Sequence, residues 1–296
     1  MASDTEVTLF ECSSYFRSIF SCFLLSVAYV GSLYVWGKHL ARDHPTTIKK
    51  RCASVMLVSL LSPILLYALS TNADTSQSTS HSLWSYLGVR SEGILAAVFI
   101  PLLLTMVLFL GPLSMLKYED LVDALPILGE KSIWKDEVIQ TFWLRNYVVG
   151  PLTEEVVFRA CMLPLLVPCM SYTKAIFICP LFFGVAHIHH VIERLRQGNH
   201  KPVHIWFSAI FQFSYTSVFG AYSAFIFLRT GHIIGPIICH TFCNFMGFPE
   251  FGTVLRYPPL RRLVVSILYI IGLIGFIYLL FPLTEPSWYS NNVYPW

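Results

Sequence analysis

LVVSILYIIGLIGFIYLLFP, residues 263–282, runs for twenty positions without a charged side chain. A helix of roughly that length is what the ~30 Å hydrocarbon core of a bilayer demands. In lipid a single segment must satisfy its own backbone polar groups, which a helix does. The pattern repeats outward from there. Residues 12–36 (CSSYFRSIFSCFLLSVAYVGSLYVW), 53–70 and 93–116 are similarly apolar, and 151–170, 174–191, 204–228 and 233–250 are apolar but interrupted by His, Glu, Asn, Gly or Pro. The chain of 296 residues is 55% hydrophobic and 12% charged, about half the charge of an ordinary soluble domain. The predicted fold is all-α: a polytopic integral membrane helical bundle of about eight transmembrane helices, one domain over 1–296, with a site inside the bundle.

The first span is too long for the apolar core of a cleavable signal and is expected to be a true helix of the bundle. The eight cysteines follow no spacing pattern, and most lie inside spans, so they are expected to be buried free thiols. Charge sets an expected orientation. Lys38, Arg42, Lys49, Lys50 and Arg51 follow span one; Lys117, Lys131 and Lys135 follow span three. Arg194, Arg196 and Lys201 follow span five, and Arg256, Arg261 and Arg262 follow span seven. The alternate loops hold Arg90, Lys174 and Arg229. Basic loops favour the cytosol, so both termini are expected on the opposite side. No basic cluster is dense enough for nucleic acid.

Spans within 12–116 carry almost no ionisable residue and read as scaffold; 117–140 reads as a cytosolic connector, 141–250 as the catalytic spans and 263–282 as the final span. Gly150-Pro151 is expected to open the fourth helix, since proline suits a first turn. That start would leave Glu154 and Glu155 near the positive end of the helix dipole.

Ionisable residues inside spans usually face the interior and mark a function. Three groups qualify: Glu154, Glu155 and Arg159 in TEEVVFR; His187, His189 and His190 in FFGVAHIHHVIE; His240 and Asn244 in CHTFCNF. Glu155 and Arg159, four apart, share a helix face and can pair, while Glu154 is turned roughly 100° away. Phe183 lies one turn before His187. His240 and Asn244 also share a face, and both can donate hydrogen bonds to a developing oxyanion. A carboxylate and a histidine can together deprotonate water. The same donor types could bind zinc, yet HEXXH is absent, as are a Gly-X-Ser-X-Gly elbow and a placed cysteine nucleophile. Water attack is the chemistry these residues fit. The competing class is a transporter or proton-conducting channel using the buried Glu/His cluster, against which stands the lack of an internal repeat. Spacing alone does not rank Glu154 against Glu155.

EEVVFR (154–159), FGVAH (183–187) and HTFCN (240–244), in this order on successive spans, resemble the motifs of the type II CAAX prenyl endopeptidase family, the Ras-converting enzymes, and its bacteriocin-processing relatives. AYVGSLYVW (28–36), ARDHP (41–45), LFFGVAHIHH and FQFSYTSVFGAY extend the resemblance to the eukaryotic endoplasmic-reticulum form over most of 25–284. The resemblance implies an intramembrane protease that removes a-a-X from prenylated Cys-a-a-X tails, such as those of Ras- and Rho-type small GTPases. It implies Glu154 and His187 for water activation, His240 and Asn244 for the oxyanion, and Glu155 and Arg159 in support. Phe183 and His190 are expected at the substrate. No cofactor is expected, with zinc the alternative, and the expected location is the endoplasmic-reticulum membrane with the site open toward the cytosol.

Overall fold

The computed structural model describes residues 9–12, 14–36, 43–69, 81–116, 136–186, 191, 195 and 202–295. Among them every regular element is helical. The chain runs α1 (Tyr15–Ser32), α2 (Pro45–Ala68), α3 (Leu83–Tyr86), α4 (Ile94–Leu108) and α5 (Leu110–Leu113). Then come α6 (Glu137–Leu144), α7 (Gly150–Glu155), α8 (Leu163–Leu166), α9 (Tyr172–Ala186), α10 (Pro202–Thr230), α11 (Ile234–Met246), α12 (Phe251–Arg256) and α13 (Pro259–Leu279). By length and composition α1, α2 and α13 are able to cross a membrane, while α4, α9 and α11 are shorter apolar helices. Large apolar side chains point outward: Phe16, Leu60, Leu95, Phe207, Val218 and Tyr278 are all exposed. Such a surface belongs in lipid.

At Gly150-Pro151 the sequence expectation holds only in part: α7 is counted from Gly150 with Pro151 in its first turn, but the backbone enters it already helical, so no free helix N-terminus is there. A π-turn over Arg145–Val149 joins α6 to α7, and a second over Val156–Cys161 joins α7 toward α8, giving one helical rod. Proline removes a donor and collides with the carbonyl four residues back. For Pro151 that carbonyl is Tyr147, and for Pro164 it is Ala160, each inside a π-turn. Widening the turn accommodates the ring without ending the helix. Glu154 and Glu155 therefore sit mid-rod, away from any helix N-terminus.

The cysteine expectation fails at one pair. Cys12 and Cys169 form a disulfide across 157 positions, while Cys22, Cys161, Cys179 and Cys239 are buried free thiols. Cys12 precedes α1 and Cys169 closes the short turn after α8. Neither lies in the bundle interior, and so wide a spacing left no signature.

Helices α9 and α10 pack antiparallel at close range. A Cβ on Gly220 would stand 2.8 Å from Pro180 Cβ and 3.0 Å from Arg159 Nη2. Small residues at such a crossing let backbones approach; here the bare glycine also leaves room for the arginine.

Candidate active site

The rod carries Glu155 and Arg159 into the apolar centre, where both are fully buried. The expected i, i+4 pair forms, with Arg159 Nη1 donating to Glu155 Oε1 at 3.1 Å. His240, on α11, donates from Nδ1 to the same oxygen at 2.7 Å. Ser223, on α10, donates to the other oxygen at 2.5 Å. Three helical elements thus converge on one carboxylate. The Arg159 guanidinium lies 4.6 Å from the ring of Phe183 and 5.9 Å from that of Phe219. Those two rings also flank His240, with Phe219 at 4.8 Å. Desolvated guanidinium over an aromatic face gains cation–π stabilisation.

An ionised carboxylate accepts and does not donate, so the bond to Glu155 fixes a proton on Nδ1 of His240. The opposite nitrogen, Nε2, faces Glu154 Oε2 at 3.8 Å. That is too long for a hydrogen bond. Glu154 differs sharply from its neighbour: its side chain is 24% exposed and lines a cleft of about 220 Å³.

The cleft runs between α1, α2, α9, α11 and the rod, with Tyr29, Cys52, Arg145, Phe183, Ala186 and Asn244 in its wall. Asn244 is exposed and donates from Nδ2 to the Asn146 carbonyl at 2.9 Å. That leaves its amide a second N–H. Tyr29 reaches Thr153 Oγ1 at 2.8 Å, pinning α1 to the turn of the rod beside Glu154. Phe183 is buried at the inner end, packed on Arg159, His240 and Phe158.

The structure thus brings together Glu154, Glu155, Arg159, Phe183, His240 and Asn244. His187, His189 and His190 lie outside the described residues; the last described residue of α9, Ala186, is in the cleft wall. Ser223, Phe219, Tyr29 and Asn146 escaped sequence reasoning. A serine among apolar residues on α10, or a backbone carbonyl at Asn146, carries no motif. Among the described residues no group of three or more His, Cys, Asp or Glu side chains is arranged to hold a metal ion.

Comparison with known proteins adds to the geometry. A family profile described as "Type II CAAX prenyl endopeptidase Rce1-like" matches residues 137–246, the segment that carries every described residue of the cluster. The chain is 51% identical to human "CAAX prenyl protease 2" over 277 residues, covering 93% of this chain and 83% of that protein. It is 46% identical to the rat protein of that name, covering 93% and 82%. Identity to the Arabidopsis thaliana protein of the same name is 35%, covering 69% of each. No solved structure matches the chain significantly.

Proposed function

The chain belongs to the type II CAAX prenyl endopeptidase family, and we propose that it frees a-a-X from farnesylated or geranylgeranylated tails by glutamate-driven attack of water. Membership makes it a membrane hydrolase of CAAX-processing type. Ras- and Rho-type GTPases are the substrates the reading expects.

One observation carries the mechanism: of two adjacent glutamates, Glu155 is buried with three donors on it, while Glu154 opens on the cleft and faces Nε2 of His240. Glu154 takes a proton from water, and His187 is assigned to hold that water with it. The hydroxide adds to the carbonyl carbon of the prenylated cysteine. The oxyanion is met by Asn244 through its second N–H and by His240, whose Nε2 must carry a proton for this role. His240 then acts as an imidazolium whose charge is offset by Glu155 on its Nδ1 side and by the developing oxyanion on its Nε2 side, Glu154 being protonated at this stage. Collapse breaks the peptide bond, and the proton on Glu154 passes to the departing amine of a-a-X. Glu155 and Arg159 touch no reacting atom; they orient His240. Phe183 supports that orientation through its ring contacts.

A metal-independent reaction suits this layout. Zinc in a catalytic site takes three protein ligands, and Glu155 is already committed to its donors. The prenyl chain adds affinity from the bilayer at about 0.8 kcal/mol per buried CH2. The charge asymmetry of the loops supports a cleft open to the cytosol. The Cys12–Cys169 disulfide supports the opposite face lying in an oxidising lumen, as in the endoplasmic reticulum.

The test is mass analysis of a farnesylated Cys-a-a-X peptide incubated with purified protein, beside its unprenylated twin. Release of intact a-a-X from the prenylated peptide alone is expected. No release from prenylated peptides of several sequences, by protein that elutes as a folded species, would overturn the reading.

A further inference from the structure

Arg145 and Arg51 stand in the wall of the same cleft as Glu154 and Asn244, both half-buried. Motif reasoning gave neither a role. Arg145 belongs to the first π-turn of the rod; its Nη1 donates to Asp43 at 2.9 Å, its Nε to Asn146 Oδ1 at 3.0 Å, and it lies 4.5 Å from the Phe142 ring. Arg51 lies on α2, 5.7 Å from the Tyr34 ring. Both guanidinium groups line the cleft, and a guanidinium offers five N–H donors, more than the bonds to Asp43 and Asn146 use on Arg145.

We infer that Arg145, with Arg51 beside it, receives the free C-terminal carboxylate of the substrate and so sets the cut three residues from the chain end. This rests on the protease reading and deepens it. The a-a-X segment carries one obligatory charge, its α-carboxylate. Extended, three residues span ~10 Å. Arg145 precedes Glu154 by nine positions on the rod, about 13 Å of axial rise, and an arginine side chain closes the difference. Asp43, 65% exposed, already holds a carboxylate against this guanidinium. A planar guanidinium fork matches a carboxylate with two parallel bonds. An enzyme that measures from the chain end in this way discriminates against longer or blocked tails.

The experiment compares farnesylated Cys-a-a-X peptides ending in a free acid or an amide, on wild type, Arg145→Gln, Arg51→Gln and Asp43→Asn. Wild type is expected to lose roughly tenfold or more in kcat/KM on amidation, the worth of a hydrogen-bonded charge, mostly through KM. Arg145→Gln is expected to cut the acid as poorly as wild type cuts the amide, and to ignore amidation. Arg51→Gln is expected to weaken the preference in part. Asp43→Asn, which removes the internal competitor, should lower KM for the acid and leave the amide unchanged. It also serves should Arg145→Gln fail to fold. Equal cutting of acid and amide by wild type overturns the inference and leaves the protease reading intact. So does a preference that survives in both arginine variants. Absence of cleavage of either peptide instead removes the protease reading itself.

Discussion

Glu154 and Glu155 are neighbours with opposite surroundings, and single substitutions separate their roles. Glu154→Gln removes the carboxylate proposed as the base on the cleft wall, so kcat should fall on the order of 10²–10⁴-fold. Its thermal midpoint in detergent should stay at the wild-type value. Glu155→Gln leaves Arg159 buried without its counter-ion and gives His240 Nδ1 only a neutral amide oxygen in place of a carboxylate. Breaking a buried ion pair costs about 3–5 kcal/mol, so this variant should lose both activity and thermal stability. Arg159→Ala should resemble it. Equal destabilisation by Glu154→Gln and Glu155→Gln would contradict the division. The Glu155–Arg159 pair was legible from a spacing of four in an apolar run. The rank of the two acids was not, because it depends on Ser223, 68 positions away, and on His240, 85 positions away. The aromatic faces around Arg159 were hidden for the same reason, since Phe219 sits among many phenylalanines on α10 and nothing local distinguishes it.

At the scale of elements, α13, α2 and α1 followed from apolar length alone, because helix is what a bilayer allows such a segment. The rod was misread because proline marks a helix start and a tolerated interior distortion by the same letter. Only the packing around Tyr147 and Ala160 decides between them. The crossing of α9 and α10 yields a prediction of its own. Gly220→Val places methyl groups where Pro180 and Arg159 already stand. Overpacking of this kind costs about 1–3 kcal/mol. Because the displaced group is Arg159, activity should fall further than the stability loss accounts for. Parallel measurement of thermal midpoint and kcat in Gly220→Ala and Gly220→Val tests this, with graded loss in that order expected. A Gly220→Val enzyme of wild-type activity would contradict the close approach.

Across the whole molecule, the bundle closes on one side through Cys12–Cys169, which ties the chain before α1 to the end of the rod. A bond across so long a stretch is worth about 2–4 kcal/mol. Reduction, or Cys12→Ser, should therefore lower the thermal midpoint, and in vesicles with the peptide-cleaving face outward a thiol reagent that cannot cross membranes should label Cys169 only after reduction and opening of the vesicles. Labelling from the face that cleaves peptide would contradict the orientation drawn from the basic loops. The apolar outer surface and the helical class were plain in composition, whereas the disulfide was invisible without the fold.

The central claim is that Glu154, without a metal, activates the water that cuts a prenylated tail. Its most direct test is the cleavage rate of a fluorogenic farnesylated Cys-a-a-X peptide by wild type and by folded Glu154→Gln, each with and without a strong chelator. The account predicts cutting after the prenylated cysteine by wild type, unaffected by chelator, and its loss in Glu154→Gln. Chelator-sensitive cutting restored by zinc, or a Glu154→Gln enzyme near the wild-type rate, would contradict it.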